Sequence, residues 1–145
     1  MKKILSLVLA AVLLAAVLAL PAAAETYLSE KVRVLMSTPE ITVTGAAKCV
    51  PAKDLADAIE DGEELIGEEC KLDAKRISVL QCGSVVCEDE VNYVTFKVWS
   101  TAKRTIALFF MEEDGEDWQL LSCNLGDVIE GCFETSGQFA IVVGW

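Results

Sequence analysis

The amino-acid sequence predicts a mainly β protein, an antiparallel β-sandwich with one short helix at about residues 51–61 and with disulfide staples. Three observations support this fold class. Apolar and polar side chains alternate through Val91–Ser100, which is typical of a strand with one buried face. Thr105–Met111 is short and almost entirely apolar, which favours a central strand covered on both faces. The chain also has six cysteines behind an export signal, and an even number in an exported chain predicts three disulfides.

The start of the chain has the pattern of a secretory signal peptide. Two lysines precede the apolar run Ile4–Leu20, and a small-residue Ala-x-Ala site follows it. We therefore predict that residues 1–24 are cut off after Ala24 and that the chain is secreted. If the segment stays uncut, it is long enough to serve as an N-terminal membrane anchor. Residues 25–30 are then a flexible leader, and residues 31–145 form a single β-sandwich domain.

The mature chain is strongly acidic. Without the two signal lysines, 10 of the 12 basic residues remain against 23 acidic ones, which gives a net charge of −13. Nucleic acids and anionic membrane surfaces repel such a charge, so we expect neither as a partner beyond the signal segment itself. A chain of about 120 residues forms one domain and buries roughly two-thirds of the surface that it exposes when unfolded.

Short strands are expected on both sides of the helix. Each is rich in β-branched or apolar residues and is bounded by turn-forming or charged residues. These strands are Lys31–Met36, Ile41–Thr44, Ile77–Gln81 and Val85–Cys87. Between the last two, Cys82 and Cys87 are expected to bracket a tight turn.

The helix is predicted from its first residue, its apolar stripe and its last residue. Proline suits the first turn of Pro51–Asp61, where a missing N–H leaves no hydrogen bond unmade. Leu55, Ala58 and Ile59 follow the spacing i, i+3, i+4 and form one narrow apolar stripe. Gly62 is a natural end point. We expect this helix to cover an open end of the sandwich.

The C-terminal third is predicted as a series of strands and turns. Glu112–Asp117 contains Asp-Gly, which tolerates the backbone of a tight hairpin turn, so Trp118–Cys123 is expected to be the return strand. Asn124–Asp127 is a second turn, and the strands Val128–Phe133 and Gln138–Val143 complete the domain.

The cysteines are predicted to be oxidised, with no free thiol in the mature protein. Six cysteines allow 15 pairings, and the sequence leaves the choice among them open. Spacing favours pairs that are neighbours along the chain: Cys49 with Cys70, Cys82 with Cys87, and Cys123 with Cys132. Zinc sites generally use Cys-x2-Cys pairs or histidine, and the chain contains neither, so we expect no metal.

A resemblance to known modules is carried by four apolar segments. These are Tyr93–Val98, Thr105–Phe110, Trp118–Leu121 and Gly137–Val143. They resemble the last strands of β-sandwich modules in secreted and cell-surface proteins of Gram-positive bacteria. They are similar, more distantly, to the final strands of ZU5 and GPS (GAIN-type) modules. The resemblance covers about the last fifty residues and implies a fold and an extracellular location.

The GPS family cleaves itself at a His-Leu-Ser/Thr site, and this activity is not expected here. Counted back from Phe139, the family's histidine position is Thr135 and its nucleophile position is Gly137. Glycine has no hydroxyl group, and the chain contains no histidine.

The side-chain inventory argues against an enzyme. The absence of histidine removes Ser-His and Cys-His nucleophile pairs, and the sequence has no glycine-rich phosphate loop. The acidic run Glu112–Asp117 lacks the spaced ligand order of an EF-hand, so a solvated turn is expected rather than a Ca²⁺ site. We predict no cofactor.

Two aromatic residues are the candidate binding site. Tyr93 and Trp99 share the strand face opposite the apolar trio Val94, Phe96 and Val98, so they are either exposed for binding or covered by the helix or the leader. The first hypothesis is a non-catalytic secreted or cell-surface module that binds an unidentified protein or glycan or has a structural role. The alternative is a small disulfide-rich effector or protease inhibitor that presents the loop 83–86. The sequence does not define the oligomeric state.

Overall fold

The structure is a computed structural model that describes residues 28–67, 70–88, 90–99 and 105–144. The predicted signal peptide, residues 1–24, lies outside the described residues. Within the described ranges, no helix is long and apolar enough to cross a membrane.

The described chain is mainly β and forms two antiparallel sheets, which confirms the predicted fold class. The strands are β1 (Val32–Ser37), β2 (Ile41–Gly45), β3 (Ile77–Cys87), β4 (Asn92–Val98), β5 (Thr105–Glu112), β6 (Gln119–Leu125), β7 (Val128–Phe133) and β8 (Gly137–Gly144). One sheet has three strands in the order β1-β4-β7. The other has five strands in the order β2-β3-β8-β5-β6.

A core of apolar side chains joins the two sheets. It receives the inward-facing residues of both, among them Val94, Phe96 and Val98 of β4, all with no exposed surface. Two aromatic pairs cross the gap between the sheets. Phe96 lies 5.3 Å from Phe139 of β8 between ring centroids, and Phe110 of β5 meets Phe133 of β7 edge-on at the same distance. Such pairs stabilise by about 0.5–1.5 kcal/mol beyond the area that they bury.

A second apolar cluster lies on the outer side of the five-stranded sheet. It is covered by the connection between β2 and β3, described for residues 46–67 and 70–76, which we call the covering segment. This segment contains a 3-10 turn (Ala52–Leu55), the helix α1 (Ala56–Asp61) and a second 3-10 turn (Glu63–Leu65). The predicted apolar stripe of the helix is confirmed as buried in this cluster, where it meets side chains of β5 such as Phe109.

The position of the helix differs from the prediction. It covers the outer face of the five-stranded sheet, not an open end of the sandwich. Gly62 has φ −93° and is therefore not a left-handed helix cap. Its role is close packing, because a Cβ atom at this position would lie only 2.8 Å from the Cβ atom of Leu120.

The predicted turn between Cys82 and Cys87 is wrong, because both residues belong to the continuous strand β3. Gly83, expected in that turn, pairs with Gly45 on one side and Phe139 on the other. A Cβ atom on Gly83 would lie 2.6 Å from the Phe139 ring, so the glycine makes room for an aromatic side chain of the next strand.

Candidate binding surface on the three-stranded sheet

The alternation of β4 determines which side chains reach the outer side of the three-stranded sheet. Because Val94, Phe96 and Val98 fill the core, Tyr93 points outward, and Trp99 directly follows the strand. Tyr93 is 47% exposed and Trp99 is 41% exposed. The backbone N–H of Trp99 donates a hydrogen bond to the Lys31 carbonyl oxygen at 2.8 Å, which fixes its backbone beside β1.

The neighbouring strands contribute the rest of this surface. Register places Cys132 beside Tyr93, Glu130 and Met36 on the two sides of Thr95, and Val128 and Arg33 on the two sides of Lys97. We call the surface formed by these residues the open face: Arg33, Met36, Tyr93, Thr95, Lys97, Trp99, Val128, Glu130 and Cys132.

Exposed apolar side chains are concentrated on and beside the open face. Seven large hydrophobic residues are exposed within the described parts of the chain. Four of them, Met36, Tyr93, Trp99 and Val128, belong to the open face, and Val91 lies directly before β4. A contiguous apolar patch with polar neighbours is typical of an interaction site.

The charged side chains of the open face have local partners. The Arg33 guanidinium lies 5.3 Å from the centre of the Trp99 ring, within the range of a cation–π contact. Lys97 forms an ion pair with Asp127, and the hydrogen bond from Lys97 lowers the pKa of the Asp127 carboxyl group. The Thr95 hydroxyl donates to a Glu130 carboxylate oxygen at 3.4 Å. The surface is thus an aromatic and aliphatic strip with hydrogen-bonding groups between its two aromatic ends.

The spacing of the two aromatic residues indicates the size of a ligand. Six residues along an extended strand span roughly 20 Å. A ligand that contacts both Tyr93 and Trp99 must therefore be extended along β4, or it must be a surface of comparable length.

An acidic cleft lies on the other side of the molecule, and the sequence analysis did not identify it. Its volume is about 920 Å³, and it is lined by the helical part of the covering segment, the β5–β6 turn and the start of β6. Its acidic side chains come from the helical part of the covering segment and from the β5–β6 turn: Asp54, Asp57, Asp61, Glu116 and Asp117. The first three follow helical spacing, which is the sequence signal for a shared face. In the described residues, no group of three or more possible ligands is placed to hold a metal ion.

The cysteines are not arranged as their order suggested, and the described structure contains no disulfide bond. Cys82 and Cys87 are five residues apart on one strand, roughly 16 Å, whereas bridged cysteines have Cα atoms within about 7 Å. Cys123 packs on the outer side of the five-stranded sheet, whereas Cys132 is exposed on the open face. The structure therefore brings together neither Cys82 with Cys87 nor Cys123 with Cys132.

The loop 83–86 that was expected to face a target protein is also not formed. All four residues are paired with β2 on one side, and residues 83–85 are also paired with β8 on the other. They lie within strand β3, so no exposed loop is formed at this position.

Comparisons with known proteins add no family or neighbour to this description. No protein-family model, no curated protein and no solved structure matches the chain.

Proposed function

We propose that this chain is a non-catalytic, exported module that binds a partner at the cell surface through the open face. The observation that carries the proposal is the concentration of exposed Met36, Tyr93, Trp99 and Val128 on one side of one sheet. In the described parts of the chain, the covering segment packs on the outer side of the other sheet and forms an apolar cluster there, whereas these four side chains of the open face are exposed.

The composition of the open face favours a protein partner. Tyrosine, tryptophan, methionine and arginine are the residues enriched at protein–protein interfaces, and all four occur on this surface. The cation–π contact between Arg33 and Trp99 holds both side chains in place before binding, which lowers the entropy lost in the complex. A glycan that stacks on the aromatic rings is the competing partner class.

Binding to arrays of extended peptides and of glycans tests the proposal. The mature protein is compared with the double variant Tyr93→Ser/Trp99→Ser. The control is Leu65→Ser/Val86→Ser, which removes two equally exposed apolar side chains away from the open face. Thermal unfolding verifies that all three proteins are folded.

We expect saturable binding to peptides. The affinity should fall at least about tenfold in the Tyr93→Ser/Trp99→Ser variant, because each of the two residues contacts one end of an extended ligand. The control variant should bind as the parent does. Binding that is equally weakened in both variants, or confined to glycans, would contradict the proposed protein-binding face.

Export is part of the same proposal. The basic and apolar start of the chain and its Ala-x-Ala site support cleavage after Ala24. N-terminal sequencing of the protein from the culture medium should begin at Glu25. A full-length chain recovered only in the membrane fraction would contradict secretion.

A further inference from the structure

The covering segment has one cysteine near each of its ends. Cys49 lies shortly after β2, and Cys70 lies shortly before β3. The five-stranded sheet beneath the segment also has two cysteines on its covered side, Cys82 on β3 and Cys123 on β6. The segment and the sheet thus each contribute two cysteines to the same apolar interface.

Backbone contacts place Cys49 over Cys82. After the last pair of the β2–β3 ladder, the N–H of Ala46 donates to the Cys82 carbonyl oxygen at 2.8 Å. Besides burial, the Cys49 side chain raises the pKa of the Cys82 thiol and the Val50 backbone lowers it, so both residues lie against Cys82. The chain that leaves β2 therefore folds back onto β3 and brings Cys49 to Cys82.

A second set of contacts places Cys70 against Cys123. The N–H of Lys71 donates to the Thr105 hydroxyl at 3.0 Å, at the start of β5. Cys123 pairs with Ala107, two residues further along the same strand. Besides burial, the Cys70 side chain likewise raises the pKa of the Cys123 thiol, so the two side chains lie close together.

We propose that oxidation joins Cys49 to Cys82 and Cys70 to Cys123, so that two cystines fasten both ends of the covering segment to the five-stranded sheet. The oxidant is a disulfide, either of a small molecule or of another protein. For each pair, two protein thiols and one oxidant disulfide become one protein disulfide and two oxidant thiols.

The burial of the thiols indicates the order of the two steps. Burial raises the pKa of Cys82 to about 12 and, in the same way, that of Cys123 to about 12, so few of these thiols are ionised at neutral pH. Cys49 is exposed and Cys70 half-buried, so they attack the oxidant first and release one of its thiols. The buried sulfur then loses its proton, attacks the mixed disulfide and releases the second oxidant thiol.

The geometry disfavours the competing arrangements. A structural zinc ion takes four ligands. Each proposed cysteine pair supplies two sulfur atoms, and no group of three or more possible metal ligands lies together among the described residues. β3 and β6 are separated by β8 and β5, about 14 Å across three strand spacings, which keeps Cys49 away from Cys70.

Disulfide mapping of the exported protein tests the proposal. After digestion with trypsin and a glutamate-specific protease without reduction, mass spectrometry should find the peptide 49–53 linked to the peptide of β3. The peptide with Cys70 should be linked to the peptide with Cys123, which cleavage at Glu130 separates from Cys132. Because Cys82 and Cys87 share a peptide, Cys87→Ser should retain the first link and Cys82→Ser should abolish it.

Cys49 linked to Cys70, or Cys82 linked to Cys87, would overturn the proposed pairs. Hydrogen exchange gives a second measurement that does not depend on the variants. Reduction should increase exchange in the covering segment and leave β4 and β7 unchanged, and it should lower Tm by roughly 10 °C. Equal exchange in the covering segment before and after reduction would also overturn the proposal.

Discussion

The two outer faces of the sandwich differ in what covers them. The five-stranded sheet buries much of its outer side under the covering segment and acquires a second apolar cluster there. The three-stranded sheet leaves its outer side to solvent, with two aromatic rings and two aliphatic side chains exposed. The covered face contributes to the apolar core of the fold, and the other face is exposed.

The sequences of the strands already show which sheet has a covered outer face and which has an exposed one. β5 is buried on both sides, and the apolar run Thr105–Met111 predicted this. β4 is buried on alternate residues only, as the pattern of Val91–Ser100 predicted. A strand without alternation indicates a covered outer face, whereas a strand with alternation indicates an open one.

Truncation of one aromatic residue on each face gives the largest contrast. Phe109→Ala should destabilise the protein by about 3–5 kcal/mol, because it removes a fully buried ring from beneath the covering segment. Tyr93→Ala should change stability by less than about 1 kcal/mol, because nearly half of the side chain is exposed. Urea unfolding measures both values. Similar losses of unfolding free energy in the two variants would mean that Tyr93 is packed as closely as Phe109, and that the open face is covered.

A substitution at the contact between the helical segment and β6 should have the next largest effect. Gly62→Ala should destabilise by about 1–3 kcal/mol, because its Cβ atom would approach Leu120 to 2.8 Å. Gly67→Ala is the matched control, since no atom lies within 4 Å of its Cβ position. If both variants unfold at the same urea concentration as the parent, the segment does not pack closely on the sheet.

The rate at which cysteine thiols react with iodoacetamide compares the two outer faces of the sandwich without any substitution. In the reduced, folded protein, iodoacetamide should label exposed Cys132 and Cys49 well before Cys82. Burial protects Cys82 and raises its pKa, so little thiolate is present. Mass spectrometry over time measures the order. Early labelling of Cys82 would show that the covering segment opens readily.

The smallest expected effect concerns pH and the open face. Since Lys97 lowers the pKa of Asp127 in the folded state, the ion pair stabilises the protein above the unfolded-state pKa of the carboxyl group. This contribution is lost as the pH falls through the lower folded-state pKa. Asp127→Asn should therefore reduce stability slightly at neutral pH and not at strongly acidic pH. Urea unfolding at several pH values measures the difference, and a loss that persists in acid would contradict this assignment.

Local patterns in the sequence predicted the strands and the helix, but not which distant segments meet. Val94, Phe96 and Val98 share one side of a strand whatever the rest of the fold, so alternation was sufficient to place them in the core. The stripe Leu55, Ala58 and Ile59 likewise predicted a buried helix face. It did not specify the surface beneath it, because either an open end or a sheet face could receive a narrow apolar stripe.

The wrong predictions arose where one local signal fits two structures. Gly83 suggested a turn, yet here a glycine makes room for the Phe139 ring from the next strand. The turn at Asn124–Asp127 suggested that Cys123 and Cys132 on its two sides meet, whereas β6 and β7 belong to different sheets. A short turn can link two paired strands or two stacked sheets, and only the distant partners of each strand distinguish these cases. The expected pairs Cys82–Cys87 and Cys123–Cys132 relied on those turns and were wrong for the same reason.

Hydroxyl-radical footprinting of the isolated protein tests the contrast between the two faces most directly. The account predicts rapid oxidation of Met36, Tyr93 and Trp99, together with strong protection of Phe109 beneath the covering segment. Protection of Tyr93 and Trp99 to the same degree as Phe109 in the monomer would show that the three-stranded sheet is covered, and it would contradict the proposed binding face.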